Sequence, residues 1–140
     1  MRAFVFCLFL FVSLLSPLSA QAGDPASGEA IRDTITRQLK AFQHDDWDGA
    51  FSYASPALQT VFGSPDRFRD MVLGGYRAVY RPKQVTFRDL DISGPRPVQV
   101  VFFIGPDGLA YLAAYEMERQ ADGSWRIASV QMTRTEAKSA

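Results

Sequence analysis

VQVVFFIGPDGLAYLAAYEMERQADGSWRIASVQM, residues 98–132, decides the fold. Three apolar runs are separated by Gly105-Pro106-Asp107-Gly108 and Ala121-Asp122-Gly123-Ser124, and each separator holds the Asp-Gly pair that marks a tight hairpin. Consecutive runs joined by short turns pair with their neighbours, so the stretch predicts an antiparallel meander with strands at 98–104, 109–119 and 124–133. A further run at 85–92 precedes it and is broken by Gly94-Pro95; its apolar phase switches between Phe87 and Leu90, which predicts a bulge near Arg88-Asp89. The strands are apolar on both faces. Val98, Val100, Phe102 and Ile104 share one face, yet Val101 and Phe103 on the other are apolar too, and the next strand sets Tyr111, Tyr115 and Met117 against Leu112 and Ala114. A sheet with one wet face alternates cleanly. This one therefore predicts two covers: helices on one face and, on the other, curvature over a pocket or another subunit.

The helices come before the sheet. Ile31, Ile35, Leu39 and Phe42 recur at helical spacing from Glu29 onward, with Arg32, Asp33, Thr36, Arg37 and Lys40 between them as a polar face. Asp33 and Arg37 stand four apart in the favoured order for an ion pair. The helix is expected to stop near His44, where Asp45 and Asp46 supply caps for a short helix carrying Trp47, Ala50, Phe51 and Tyr53. Ser55-Pro56 and Ser64-Pro65 each read as a serine cap with proline in the first helical position, where its missing donor costs nothing. The first opens a turn or two closed by Gly63, the second a helix closed by Gly74-Gly75. Tyr76 to Pro82 is expected to be extended or loop-like, because a residue before proline is pushed out of the α region.

The chain has 140 residues, 47% hydrophobic and 21% charged, which fits one globular domain. Fifteen basic and fifteen acidic residues cancel, so nothing provides the electrostatic footprint that nucleic-acid binding needs. Residues 1–22 read as a cleaved signal peptide: Arg2, an apolar run from Ala3 to Leu15, then Ala20-Gln21-Ala22 with small residues where a signal peptidase reads. Cleavage is expected after Ala22, with Ala20 as the alternative. The apolar run is shorter than the about 20 residues that span a bilayer, so no stable membrane span remains after cleavage. Cys7 is the one cysteine and leaves with the signal. The mature chain then has no cysteine, which excludes disulfides, thiol nucleophiles and thiolate metal sites together.

Helices first, then a meander whose last strand opens with Asp122-Gly123-Ser124-Trp125-Arg126-Ile127, is similar to the cystatin-like and nuclear-transport-factor-2-like cone folds, in which a curved antiparallel sheet wraps a long helix. More closely, the chain resembles the bacterial family known as domain of unknown function 4864. The likeness rests on an ordered set: Asp45-Asp46, Ala50-Phe51, Ala54-Ser55-Pro56, Leu58-Gln59, Phe62-Gly63, Phe68, Met71-Val72, Gly75-Tyr76, Val79-Tyr80-Arg81-Pro82, Gly105-Pro106-Asp107-Gly108 and Met117-Glu118-Arg119-Gln120. It spans about residues 30–132. The resemblance implies a fold and an exported domain, and it names no catalytic residue.

Few constellations carry chemistry. His44 with Asp45, Asp46 and Asp48 has metal-ligand residue types, but adjacent carboxylates point apart and zinc needs three or four converging ligands; a helix end followed by caps accounts for the cluster. Glu116 and Glu118 are the nearest approach to the base of a cone-fold isomerase, yet alternation puts them on the face opposite Tyr111 and Tyr115. Tyr76, Tyr80 and Arg81 pair aromatic rings with a guanidinium group, so they are the candidate rim of a ligand pocket. The sequence thus predicts an α+β cone, N-terminal helices packed on a curved four-stranded antiparallel sheet. It divides into signal peptide 1–22, flexible lead-in 23–28, domain 29–134 and polar tail 135–140. The expected function is a periplasmic or secreted ligand- or protein-binding accessory module with no catalytic residue, no cofactor and no metal; the alternative is a cone-fold isomerase or hydrolase using a pocket carboxylate. Expected partners are a small amphipathic or anionic ligand, an envelope protein, or a second copy docked through the sheet face, and not nucleic acid.

Overall fold

The computed structural model describes residues 25–136. The expected signal peptide and the last four residues of the expected tail lie outside them. Helix α1, Pro25–Gln43, begins earlier than expected. Proline and small residues suit a first helical turn, and Ser27 is buried there, so the flexible lead-in is corrected from Pro25 onward. Its inner stripe is the expected one, Ile31, Ile35, Leu39 and Phe42, all buried, and Arg37 pairs with Asp33 at 2.7 Å on the outside. Thr34 and Gln38 are also buried on α1: the threonine hydroxyl donates to the Ala30 carbonyl and the Gln38 amide to the Ala50 carbonyl.

The caps form as the residue types dictate. Asp46 accepts from the Gly49 N–H at the start of α2, Trp47–Ser52. Ser55 accepts from Leu58 N–H at the start of α3, Pro56–Phe62, which Gly63 ends at φ 80°. Ser64 accepts from Arg67 N–H at the start of α4, Pro65–Gly75. One expectation fails. Arg77–Tyr80 is a short helix, α5, not an extended loop. Pro82 restricts only the residue before it, Arg81, and Ala78 and Val79 gain burial by turning inward.

Four strands follow: β1 Gln84–Asp91, β2 Val98–Ile104, β3 Ala110–Arg119 and β4 Trp125–Thr135, hydrogen-bonded antiparallel in the order β1-β2-β3-β4. Both Asp-Gly hairpins, β2–β3 and β3–β4, use a three-residue loop. Gly105 N–H donates to Leu109 O and Gln120 N–H to Ser124 O, with Gly108 at φ 78° and Gly123 at φ 87° in the left-handed position such loops require. The register breaks in β1 between Phe87 and Leu90, as expected, and again between β3 and β4 beside Ala128, where Glu116 faces Ser129 but Met117 faces Ile127. β4 also runs further than expected, pairing Thr135 with Ala110, so the polar tail starts later.

All helices lie over one face of the sheet. Val101, Phe103, Ala113, Tyr115, Met117 and Ile127 are buried beneath them. The segment between α2 and α3 joins the open edge of β4: Ser55 N–H donates to Ile127 O at 2.8 Å and Ile127 N–H to Tyr53 O at 2.9 Å. On the outer face Val98, Val100, Phe102 and Ile104 are half-buried. Long side chains supply part of that cover. The Arg88 guanidinium stands 5.0 Å from the Phe102 ring centre, and Arg96 bridges Glu116 at 3.0 Å and Glu118 at 3.2 Å. Among the described residues no helix is long and apolar enough to cross a membrane.

Candidate functional site

The helices do not fill the space they enclose. Between α1, α3, α4 and the inner face of β3 and β4 lies a cavity of about 270 Å³. The two Ser-Pro caps set its roof, because they fix where α3 and α4 begin and so which side chains face the sheet. Phe68 of α4 anchors it: its ring lies 5.9 Å from Phe42, 5.5 Å from Phe51 and 5.5 Å from Phe62. These separations fall in the range of favourable aromatic pairs. Met71 and Val72 complete the helical wall, and Ile127 and Val130 of β4 form the floor.

Four residues of the lining have polar side chains: Gln38, Tyr76, Tyr115 and Ser129. None is charged. Gln38 donates its amide to Ala50 O at 3.1 Å, and the Tyr76 hydroxyl donates to Val130 O at 3.4 Å. Tyr115 differs. Its side chain is 1% exposed, and its hydroxyl has no hydrogen-bond partner. Burial pushes its ionisation well above the ordinary phenol value, so it is a neutral donor at neutral pH.

The three residues picked out in the sequence are divided by the fold. Tyr76 lines the cavity, while Tyr80 and Arg81 belong to a separate surface clasp. There the Tyr80 hydroxyl donates to Asp45 Oδ1 at 2.5 Å and its ring stacks on Trp47 at 5.4 Å. Arg81 lies 4.2 Å above that ring, donates to the Phe42 carbonyl at 2.8 Å and reaches Asp45 at 3.3 Å. Asp45 holds φ 54°, a left-handed conformation that aspartate tolerates better than most residues. The clasp ties the α1–α2 corner to α5.

The remaining chemical candidates lie away from the cavity. His44 is exposed at the end of α1, its Nδ1 2.8 Å from Lys40 O. Glu116 and Glu118 point outward to Arg96. Among the described residues no group of three or more His, Cys, Asp or Glu could hold a metal ion. Tyr115 was missed in the sequence as a site residue, although its face was read correctly. The available signal was a tyrosine at mid-strand on the core face, where phenylalanine would suit packing as well.

The comparison with family models agrees with the family resemblance. The model of a family described as "Domain of unknown function (DUF4864)" matches residues 25–140. No curated protein matches. Among solved structures the chain is similar to a crystal structure of an NTF-2 like protein of unknown function from Burkholderia xenovorans LB400. The likeness has 13% identity and a TM-score of 0.49, covering 81% of this chain and 88% of that one.

Proposed function

The chain belongs to the DUF4864 family, whose description carries no activity, and on its geometry we propose that it is an exported, non-catalytic module holding one small, mostly apolar molecule in the cavity beneath α4. The observation that carries this is the cavity wall itself: about 270 Å³ bounded by aromatic and aliphatic side chains with a few neutral polar groups. Such a lining is the general form of a small-molecule site, and the volume suits a ligand below drug size. The wall has no cation, which favours an amphipathic or neutral ligand over an anionic one. Binding is favoured over catalysis because the groups that an acid–base mechanism would recruit sit elsewhere, His44 in solvent and Glu116 and Glu118 on the outer face.

Toluene titrated into the mature protein, followed by saturation-transfer NMR, tests the reading. Binding is expected, and Leu58→Trp, which adds volume at the α3 wall of the cavity, is expected to abolish it. Absence of binding in the wild type, or binding untouched by Leu58→Trp, overturns it. Export rests on residues 1–22 alone. The intact mass of the protein from its host is expected to correspond to a chain beginning at Gly23; a product that retains Met1 rejects a cleaved signal.

A further inference from the structure

The cavity reading can be taken one step further, to the class of ligand, through one oxygen atom. We propose that the Tyr115 hydroxyl is the specificity group of the cavity, selecting a neutral ligand that presents a hydrogen-bond acceptor oxygen, as in a ketone, ester or ether, over a hydrocarbon and over a carboxylate. This rests on the cavity being a binding site.

Buried polar atoms are paired as a rule, so an unpaired one calls for a physical reason. Two are present among the described residues, the Tyr115 hydroxyl and Gln99 Oε1. The glutamine has a structural explanation: its amide nitrogen donates to Arg88 O at 2.8 Å and Val100 O at 2.9 Å, with Asp89 O at 3.3 Å, holding the β1 bulge closed, and the leftover oxygen is the by-product. Gln99 does not line the cavity. Tyr115 does, and it has no such structural task. Its ring alone would fill the space, and phenylalanine would supply that ring without a buried hydroxyl. The oxygen therefore serves something that the chain does not itself provide.

The surroundings restrict what that is. Gln38 and Tyr76 each donate to a backbone carbonyl, of Ala50 and Val130, whereas the Tyr115 hydroxyl is the buried side-chain polar atom of the lining that has no hydrogen-bond partner. Tyr115 lines a cavity whose other residues are mostly apolar and include no Lys or Arg. A carboxylate placed there would be desolvated without a countercharge, whereas a carbonyl or ether oxygen accepts one hydrogen bond and needs no more. The hydroxyl is shielded from solvent, so a ligand oxygen reaches it as the wall yields. Met71, unbranched and with three rotatable bonds, is the wall residue suited to that adjustment.

Three probes of one shape decide the matter: ethylbenzene, acetophenone and benzoate, titrated into wild type and Tyr115→Phe at neutral pH. Wild type is expected to bind acetophenone about tenfold more tightly than ethylbenzene, the ratio that one net hydrogen bond gives, and benzoate more weakly than either. Tyr115→Phe is expected to keep the ethylbenzene affinity and lose the acetophenone advantage. A second readout needs no variant: the carbonyl stretch of bound acetophenone is expected below its position in hydrocarbon solvent. Equal affinities for ethylbenzene and acetophenone in wild type, an advantage that survives Tyr115→Phe, or an unshifted carbonyl stretch overturns the inference while leaving a hydrocarbon-binding cavity intact. If none of the three binds, the cavity reading fails and this inference with it.

Discussion

Tyr115 and phenylalanine differ by one oxygen, and that atom has opposite consequences for stability and for binding. A buried hydroxyl without a partner destabilises, so Tyr115→Phe is expected to leave the unliganded protein as stable as wild type or more stable by up to about 1 kcal/mol in urea unfolding. A loss of about 2 kcal/mol or more would mean that the hydroxyl has a partner. The alkaline limb gives a second check. In the unfolded chain the phenol titrates near about 10, while in the folded chain burial holds the proton to higher pH. The folded state then binds more protons, so the stabilising effect is complete below about 10 and fades as pH rises beyond it. Tyr115→Phe is expected to flatten that decline in thermal melts taken up the alkaline range. A smaller slope remains from Tyr80 and Tyr111, whose ionisation is raised by hydrogen bonds to Asp45 and Asp107. The polar identity of residue 115 was plain in the sequence. That its hydroxyl would be orphaned was not, because satisfaction depends on which distant carbonyls come within reach.

Local chemistry placed most of the elements. Both Ser-Pro caps, the Asp46 cap, the Gly63 stop, the two Asp-Gly hairpins and the β1 bulge were legible because each depends on residues within a few positions of one another. Their energetics can be tested in the same terms. Ser55→Ala and Ser64→Ala are each expected to cost about 1 kcal/mol in chemical denaturation, with Ser55 the larger because it is 1% exposed, whereas Ser64 is half-exposed. Equal and negligible effects would show that water replaces both caps. Gly108→Ala and Gly123→Ala force a left-handed residue to carry a Cβ and are each expected to destabilise by about 1 kcal/mol. The α5 helix escaped because nothing local demands it. Arg77 to Tyr80 could be extended as readily as helical, and the choice is made by burial of Ala78 and Val79 and by the clasp that Tyr80 and Arg81 form with Asp45.

At the scale of the molecule, the doubled apolar faces pointed to two covers, and the helices supply the first. The second is incomplete within the chain. Arg88 over Phe102 and Arg96 between two glutamates shield the outer face, yet Leu112 remains 37% exposed. The second copy expected there is tested by sedimentation velocity: association in the wild type that Leu112→Glu removes supports it, and a wild-type monomer at high concentration rejects it. The sequence by itself determined the helices-first order, the two Asp-Gly turns, the caps and the inward stripe of α1, since each follows from backbone sterics and hydrophobic period acting over short range. Tertiary structure alone decided that α3 and α4 stand off the sheet far enough to leave a cavity, that Tyr76 faces it while Tyr80 and Arg81 turn to Asp45, and that Tyr115 is left without a partner. A cavity is the volume that packing fails to fill, and an unpaired hydroxyl is an acceptor that packing fails to bring near. Both are properties of how distant segments meet, which no local pattern of residues encodes.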